Sequence, residues 1–411
     1  MKYLALPLAL LITAFGLPAA GYADTPMPSA EEMWKIIQNQ QQEIEALKRQ
    51  QQTTEQKAAA ADEKAEAAVV AVESGTAGSS AGSSWADRTQ IGGYGELHYN
   101  NIDASNPAND NKEIDFHRFV LYAGHQFTDD IRFFSEFEIE HSIAGEGQNG
   151  EVEVEQAYLE FDLRDNLQAR GGVFLLPVGI LNETHEPNTF YGVERNDVES
   201  IIIPATWWAG GAGISGRHAS GISWDLAVHE GLMMDTTTFR VRDGRQKTSE
   251  ASAEDLAWSG RLRYTGIPGL ELAASANYQT DASQLGGDGL DSGLLLETHL
   301  VYTKGPFGLR ALYAQWDFDG TVVAAADADK QTGWYIEPSF KVRNDVGLYT
   351  RYEDIEAARS QDRFNQWEVG VNYWPHEDVV LKADYRSRDH DLTAEAGRDF
   401  DAFDLGIGYQ F

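Results

Sequence analysis

Glu183, His185, Glu186, Glu194, Arg195, Asp197 and Glu199 crowd into one stretch, Pro177 to Gly210, which then turns apolar at Ile201-Ile202-Ile203-Pro204 and Trp207-Trp208. Such a density of ionisable groups can either move protons and attack bonds, or set up a field that sorts charged solutes. The first needs a nucleophile or a metal held at defined spacing. The ten histidines are scattered with no H-E-x-x-H pattern, and His185 beside Glu186 reads as an ordinary loop pair, so no metal site is expected. There is no G-x-S-x-G and no P-loop, and a hydrolase reading finds only generic pairs such as His218 near Ser220. No catalytic residue and no cofactor are expected. Asn109, Asp110, Asn111 and Glu113 offer oxygen ligands for a divalent cation, but solvated charge is the plainer reading.

A sorting field has to be held in a passage, and the rest of the chain supplies walls. From Trp85 onward the apolar residues recur with a period of two. Phe403, Leu405, Ile407, Tyr409 and Phe411 lie on one face of the last segment, and Ala402, Asp404, Gly406, Gly408 and Gln410 on the other. About sixteen such segments start near residues 89, 115, 130, 154, 167, 211, 221, 256, 269, 293, 307, 332, 345, 364, 377 and 400. Tight connections such as Thr128-Asp129-Asp130, Arg343-Asn344-Asp345 and Pro375-His376-Glu377-Asp378 alternate with long polar ones. Even strand number, alternating loop length and aromatic strand ends predict an all-β, transmembrane antiparallel barrel of about 16 strands, whose outward half faces lipid and whose other half lines water. Closure leaves no unpaired edge in hydrocarbon.

On that wall the inward faces are expected to carry Arg118, Arg132, Arg170, Arg261, Arg263, Arg310, Arg351, Lys382, Arg386 and Arg388, with Glu96, Glu136, Glu138, Glu160, Asp225, Glu337 and Glu368. A loop as apolar as Pro177 to Gly210 is poorly placed in water. It is therefore expected inside the barrel, forming a constriction with its carboxylates toward the lumen, where charge sets selectivity. A basic wall facing it would give a transverse field. The alternatives are an external lid, and arginines that are structural partners of neighbouring carboxylates.

Composition narrows the partners. A formal charge of −33, from 32 basic and 65 acidic residues, argues against nucleic acid, whose phosphates are held by basic patches. Zero cysteines exclude thiol chemistry and disulfides. At the start, Lys2, the apolar run Leu4 to Leu17 and Gly21-Tyr22-Ala23 read as a signal peptide over 1–23. Residues 24–74 follow a heptad through Met33, Ile37, Ile44, Leu47 and Ala58, which predicts a periplasmic coiled-coil helix. A Gly/Ser-rich flexible linker, 75–87, precedes the barrel domain, 88–411. Such a helix buries too little to stand alone, so it implies self-association or a tether to another surface.

The segment from Arg88 to Phe411 resembles the phosphate-selective porin O and P family of Gram-negative outer-membrane channels. The resemblance is carried by Gly92-Gly93-Tyr94-Gly95-Glu96-Leu97, by Ala169-Arg170-Gly171-Gly172-Val173-Phe174 with Pro177-Val178-Gly179, and by the terminal Tyr409-Gln410-Phe411. It implies a sixteen-stranded trimeric porin among outer-membrane lipids, with the third external loop folded inward and Phe411 read as an assembly signal. It also implies passive diffusion of small hydrophilic solutes, inorganic anions such as phosphate or small carboxylates included. The family's selective channels line the pore with arginines and a lysine-rich constriction, whereas this segment carries a net charge of −28. Cation against anion preference stays open at this point, beside the alternatives of a structural tether and a barrel hydrolase.

Overall fold

Alternation at a period of two gives each segment one apolar and one polar face, and a ring of such segments has one way to satisfy both faces and every backbone group in lipid: to close. The computed structural model, which describes residues 85–287 and 289–411, is such a ring. The expected signal peptide, the coiled coil and most of the linker lie outside the described residues. A 3₁₀ turn, Trp85–Arg88, leads into β1 (Thr89–Ala104), followed by β2 (Asn111–Thr128), β3 (Ile131–Glu140), β4 (Val152–Arg164), β5 (Leu167–Leu175), β6 (Trp208–Arg217), β7 (Ile222–Glu230) and β8 (Leu256–Ile267). The second half holds β9 (Leu270–Gln279), β10 (Gly293–Lys304), β11 (Phe307–Phe318), β12 (Lys330–Arg343), β13 (Val346–Glu356), β14 (Arg363–His376), β15 (Val379–His390) and β16 (Phe400–Gln410).

Each strand pairs antiparallel with its neighbours in sequence, and β16 returns to β1 with Tyr99 opposite Leu405. Phe411 completes the seam: its N–H donates to the Gly93 carbonyl at 2.9 Å and its carbonyl accepts from Gly93 N at 3.0 Å. Strand starts fall within a few residues of those read from alternation. The largest difference is β2, whose ladder runs out to Asn111 opposite Ile102, past the point where lipid demands an apolar face. Tight turns close one rim, as at Gly269, whose φ of +79° is left-handed and where a Cβ would meet the Thr303 carbonyl at 2.1 Å. The long connections all emerge at the other rim.

The pleat sorts as expected. In β16, Phe403, Leu405 and Ile407 are 42–46% exposed on the outer surface, whereas Asp404 between them is fully buried inside. Inside, the wall does not enclose empty space, because the chain between β5 and β6 fills part of it.

Candidate functional site

The β5–β6 connection leaves the wall at Leu176 and rejoins it at Trp207, its neck clasped by one side chain. Asn182 Nδ2 donates to the carbonyls of Leu176 and Trp207 at 2.8 and 2.9 Å, and its Oδ1 accepts from Trp207 N at 2.6 Å. From there the loop crosses to the opposite strands. Val198, Ile201, Ile202 and Ile203 pack with Leu312, Trp316, Tyr335 and Ile355 of β11 to β13 in a continuous apolar cluster. Burial on this scale contributes about 1.5–3 kcal/mol per large side chain, so the loop is seated rather than draped. Wall glycines admit it: a Cβ on Gly408 would lie 2.5 Å from Pro187, and one on Gly333 2.8 Å from Ile202.

Wall side chains grip the loop backbone. Lys382 Nζ donates to the Gly192 carbonyl at 2.7 Å, Arg310 Nη2 to Thr189 O at 2.6 Å, and Trp316 Nε1 to Ile202 O at 2.9 Å. Asp384 accepts from Val193 N, and Glu353 from Asp197 N, both at 2.7 Å. These contacts place the segment inside the barrel.

The loop's charged residues have separate fates. Glu183 pairs with Arg261, and Asp197 with Arg388. Glu194 accepts from Asn100 at 2.9 Å and faces His98 at 3.0 Å. Glu186 is half-buried along a cavity below the loop. His185 is buried beside Glu136 and Glu155; burial alone would lower its pKa, but the two carboxylates outweigh it and raise it to about 9. Glu199, expected with the lumen-facing carboxylates, is fully buried instead. It accepts from Ile180 N and Leu181 N, each at 2.6 Å, and from the Tyr335 hydroxyl at 2.9 Å, and so stands in for the hydrogen bonds that an inward-folded chain cannot take from water.

The wall arginines are mostly spoken for. Arg118 pairs with Glu96 at 2.6 Å, Arg386 with Asp404 at 2.7 Å, Arg351 with Glu337 at 3.0 Å and with Glu368, and Arg261 with Asp225 at 2.9 Å. Arg132 spans Glu160 and Asp162. Arg170 stacks over Phe174, 4.3 Å from the ring centre, and Arg263 donates to Ser223 Oγ at 3.3 Å. The expected transverse field between a free basic wall and a free acidic loop is therefore replaced largely by direct pairs.

Two arginines beside the loop's upper cavity are held only by neutral groups. Arg195 donates to Thr206 Oγ1 at 2.9 Å while its Nε and Nη2 have no partner. Arg242, on the β7–β8 loop, donates to the carbonyls of Ala205 and Ser200 at 2.6 and 3.3 Å. Among the described residues neither has a carboxylate partner. Burial, and then neighbouring positive charge, lowers the pKa of both, that of Arg242 to about 9. Both line a cavity of about 450 Å³ on the long-loop side, together with His98, Glu194, Arg386 and Arg388. A second cavity, of about 380 Å³, lies on the short-turn side between Tyr158, Arg170, His185 and Gln410. Arg242 was not singled out from sequence; the cluster Arg240, Arg242, Arg245 and Lys247 was its signal.

His218 and Ser220 meet in a turn. His218 Nδ1 lies 2.9 Å from Ser220 Oγ, but the same nitrogen also accepts from Ser220 N at 3.2 Å, which makes it a cap on an exposed tight turn. In the oxygen-rich loop, Asp110 accepts from Ala104 N at 2.9 Å and closes its own turn, and Asn109 donates to Gly397 O at 2.8 Å and ties the loop to the β15–β16 connection.

Comparison with known proteins gives concordant results. The family model for phosphate-selective porin O and P matches residues 90–411. An uncharacterized protein of Aquifex aeolicus (strain VF5) is 31% identical over 365 residues, covering 78% of this chain and 79% of that protein. Among solved structures, an anion-selective porin from Comamonas acidovorans superposes with a TM-score of 0.58 at 12% identity, over 79% of this chain and 99% of that one. OmpT of Vibrio cholerae, in its trimer form, gives 0.51 at 13% identity, over 79% and 100%.

Proposed function

Because the chain belongs to the phosphate-selective porin O and P family, we propose that it is a passive, trimeric outer-membrane channel whose constriction is the β5–β6 loop and which favours small anions. The passage runs along the side of the lumen formed by β15, β16 and β1 to β5, where the two cavities flank the loop, since the opposite side is closed by the apolar cluster around Trp316. Anion preference rests chiefly on Arg195 and Arg242. They are positive groups without a carboxylate counter-ion, on the wall of a partly desolvated cavity, where a fixed charge attracts a mobile opposite charge far more strongly than in water. The acidic excess of the chain does not cancel this, because the inward carboxylates are largely occupied by wall arginines and the exposed ones, such as Glu146, Asp235, Glu250 and Asp327, sit on outer loops. Beyond about 8 Å such charges are screened at physiological salt. The anion selectivity named for the Comamonas porin is in keeping with this reading.

The test is reversal potential across a planar bilayer in a KCl gradient. The unaltered channel should reverse on the anion side, and Arg195→Gln with Arg242→Gln should move the reversal toward cations. An unchanged potential would remove these two residues from the selectivity mechanism. Addition of phosphate and small dicarboxylates to the same bilayers ranks the solutes.

A further inference from the structure

Glu155 occupies an irregular place in the wall. The β3–β4 register runs Glu136 opposite Gln156 and then Phe137 opposite Val154, so Glu155 is the extra residue of a β-bulge. A bulge turns adjacent side chains to the same face, and Glu155 and Gln156 are both buried inside the barrel. His185 descends onto this spot from the loop. Its Nε2 stands 3.6 Å from Glu155 Oε2 and 3.7 Å from Glu136 Oε1, too far for hydrogen bonds, and His185 Nε2 and Glu155 Oε2 have no hydrogen-bond partner at all. All three residues are over nine-tenths buried.

Separations of this size are those between neighbouring ligands on one ion: atoms bound tetrahedrally at about 2.1 Å lie about 3.4 Å apart. The surroundings are also built for coordination. His185 Nδ1 faces the Asn182 carbonyl at 3.2 Å; a carbonyl only accepts, so Nδ1 keeps its proton and Nε2, aimed at the carboxylates, is the nitrogen that gives its proton up to ligate. Gln156 Nε2 donates to Glu136 Oε2 at 2.6 Å, which orients that carboxylate with its other oxygen toward His185. The Tyr94 ring packs edge-on against the imidazole, with centroids 6.0 Å apart.

The geometry points to a divalent transition-metal site, ligated by Glu136, Glu155 and His185, that staples the inward loop to the β3–β4 wall. One nitrogen and two carboxylate oxygens suit Zn²⁺ and its first-row neighbours, with a position left for water from the cavity beside Gln156 and Glu186. Two carboxylates neutralise the ion, and the proton otherwise held on Nε2 is released as it binds. A second group, Asp115, His117 and His141, also brings three ligand types together, but it is half-exposed and both imidazoles already meet Asp115, at 3.3 and 2.8 Å. The orphaned atoms single out the buried triad.

Binding is read without reference to conduction, so it stands or falls separately from the channel reading. Purified full-length protein, stripped with EDTA, is titrated with Co²⁺ by equilibrium dialysis and visible absorption, then challenged with Zn²⁺. The expected result is one tight equivalent per chain, with d–d bands that Zn²⁺ abolishes. Glu155→Gln and His185→Gln should each weaken that equivalent at least tenfold, while His141→Gln, which dismantles the half-exposed group, keeps it. Heat-modifiable gel migration verifies that each variant is folded, and Glu155→Gln, isosteric and on the wall rather than in the loop, serves if His185→Gln fails to assemble. Absence of a tight equivalent in the parent protein, its survival in both Glu155→Gln and His185→Gln, or its loss in His141→Gln would each overturn the assignment.

Discussion

Arg351 shows how single residues are balanced in this lumen. It is fully buried between Glu337 and Glu368, with Glu353 at 3.9 Å, and it also reaches the Glu194 carbonyl of the loop at 3.4 Å. Removing one partner of a buried ionic group leaves its carboxylates uncompensated in a weakly polarisable interior, which costs about 3–5 kcal/mol. Arg351→Ala should accordingly lower the urea midpoint of the purified barrel, and Arg351→Ala combined with Glu368→Gln should recover part of the loss. A double variant no more stable than the single one would disprove the pairing. The parity of these residues was legible in the sequence, because a period of two assigns inward faces directly. Their partners were not. Arg351 and Glu368 lie on different strands whose register is set by pairing, and Glu136, Glu155 and His185 are brought together by a bulge and a folded loop. No spacing rule over one chain segment reports such a meeting.

At the scale of the element, the β5–β6 loop was readable as an inward segment from its apolar residues, since Ile201-Ile202-Ile203 had to find cover. What could not be read was its internal support: Glu199 looks in sequence like one more lumen carboxylate, and becomes the acceptor for Ile180 N and Leu181 N only after the loop has turned back on itself. Deleting residues 183–199 should remove the obstruction and raise single-channel conductance, by about twofold or more for a barrel of this width. Conductance equal to that of the parent protein would show that the loop does not limit flow. Gly408→Val examines the same element from the wall, because its side chain has to displace Pro187, a ring that cannot fold away.

At the largest scale, the sixteen strands among the described residues, two rims of unequal loop length and a seam closed by Phe411 follow from a sequence that is only 42% hydrophobic. That modest figure is what a wall apolar on one side requires. The heptad of residues 24–74 is the part of the proposal concerned with assembly. Removing residues 24–84 should convert trimers to monomers in light scattering of the detergent-solubilised protein if the helix supports the trimer. Intact trimers with a weakened cell envelope would instead point to a tether. The loop's anchors are spread over the far half of the ring: Trp316 of β11 and Glu353 of β13 hold Ile202 and Asp197, Val193 is held by Asp384 of β15, and Pro187 rests over Gly408 of β16, the strand that joins β1 to shut the ring. The loop leaves the wall between β5 and β6, so none of these anchors belongs to a strand that pairs with β5 or β6. The loop is thus a spoke as well as a filter: it ties across the bore strands that share no ladder, so the element that narrows the passage also braces the ring around it.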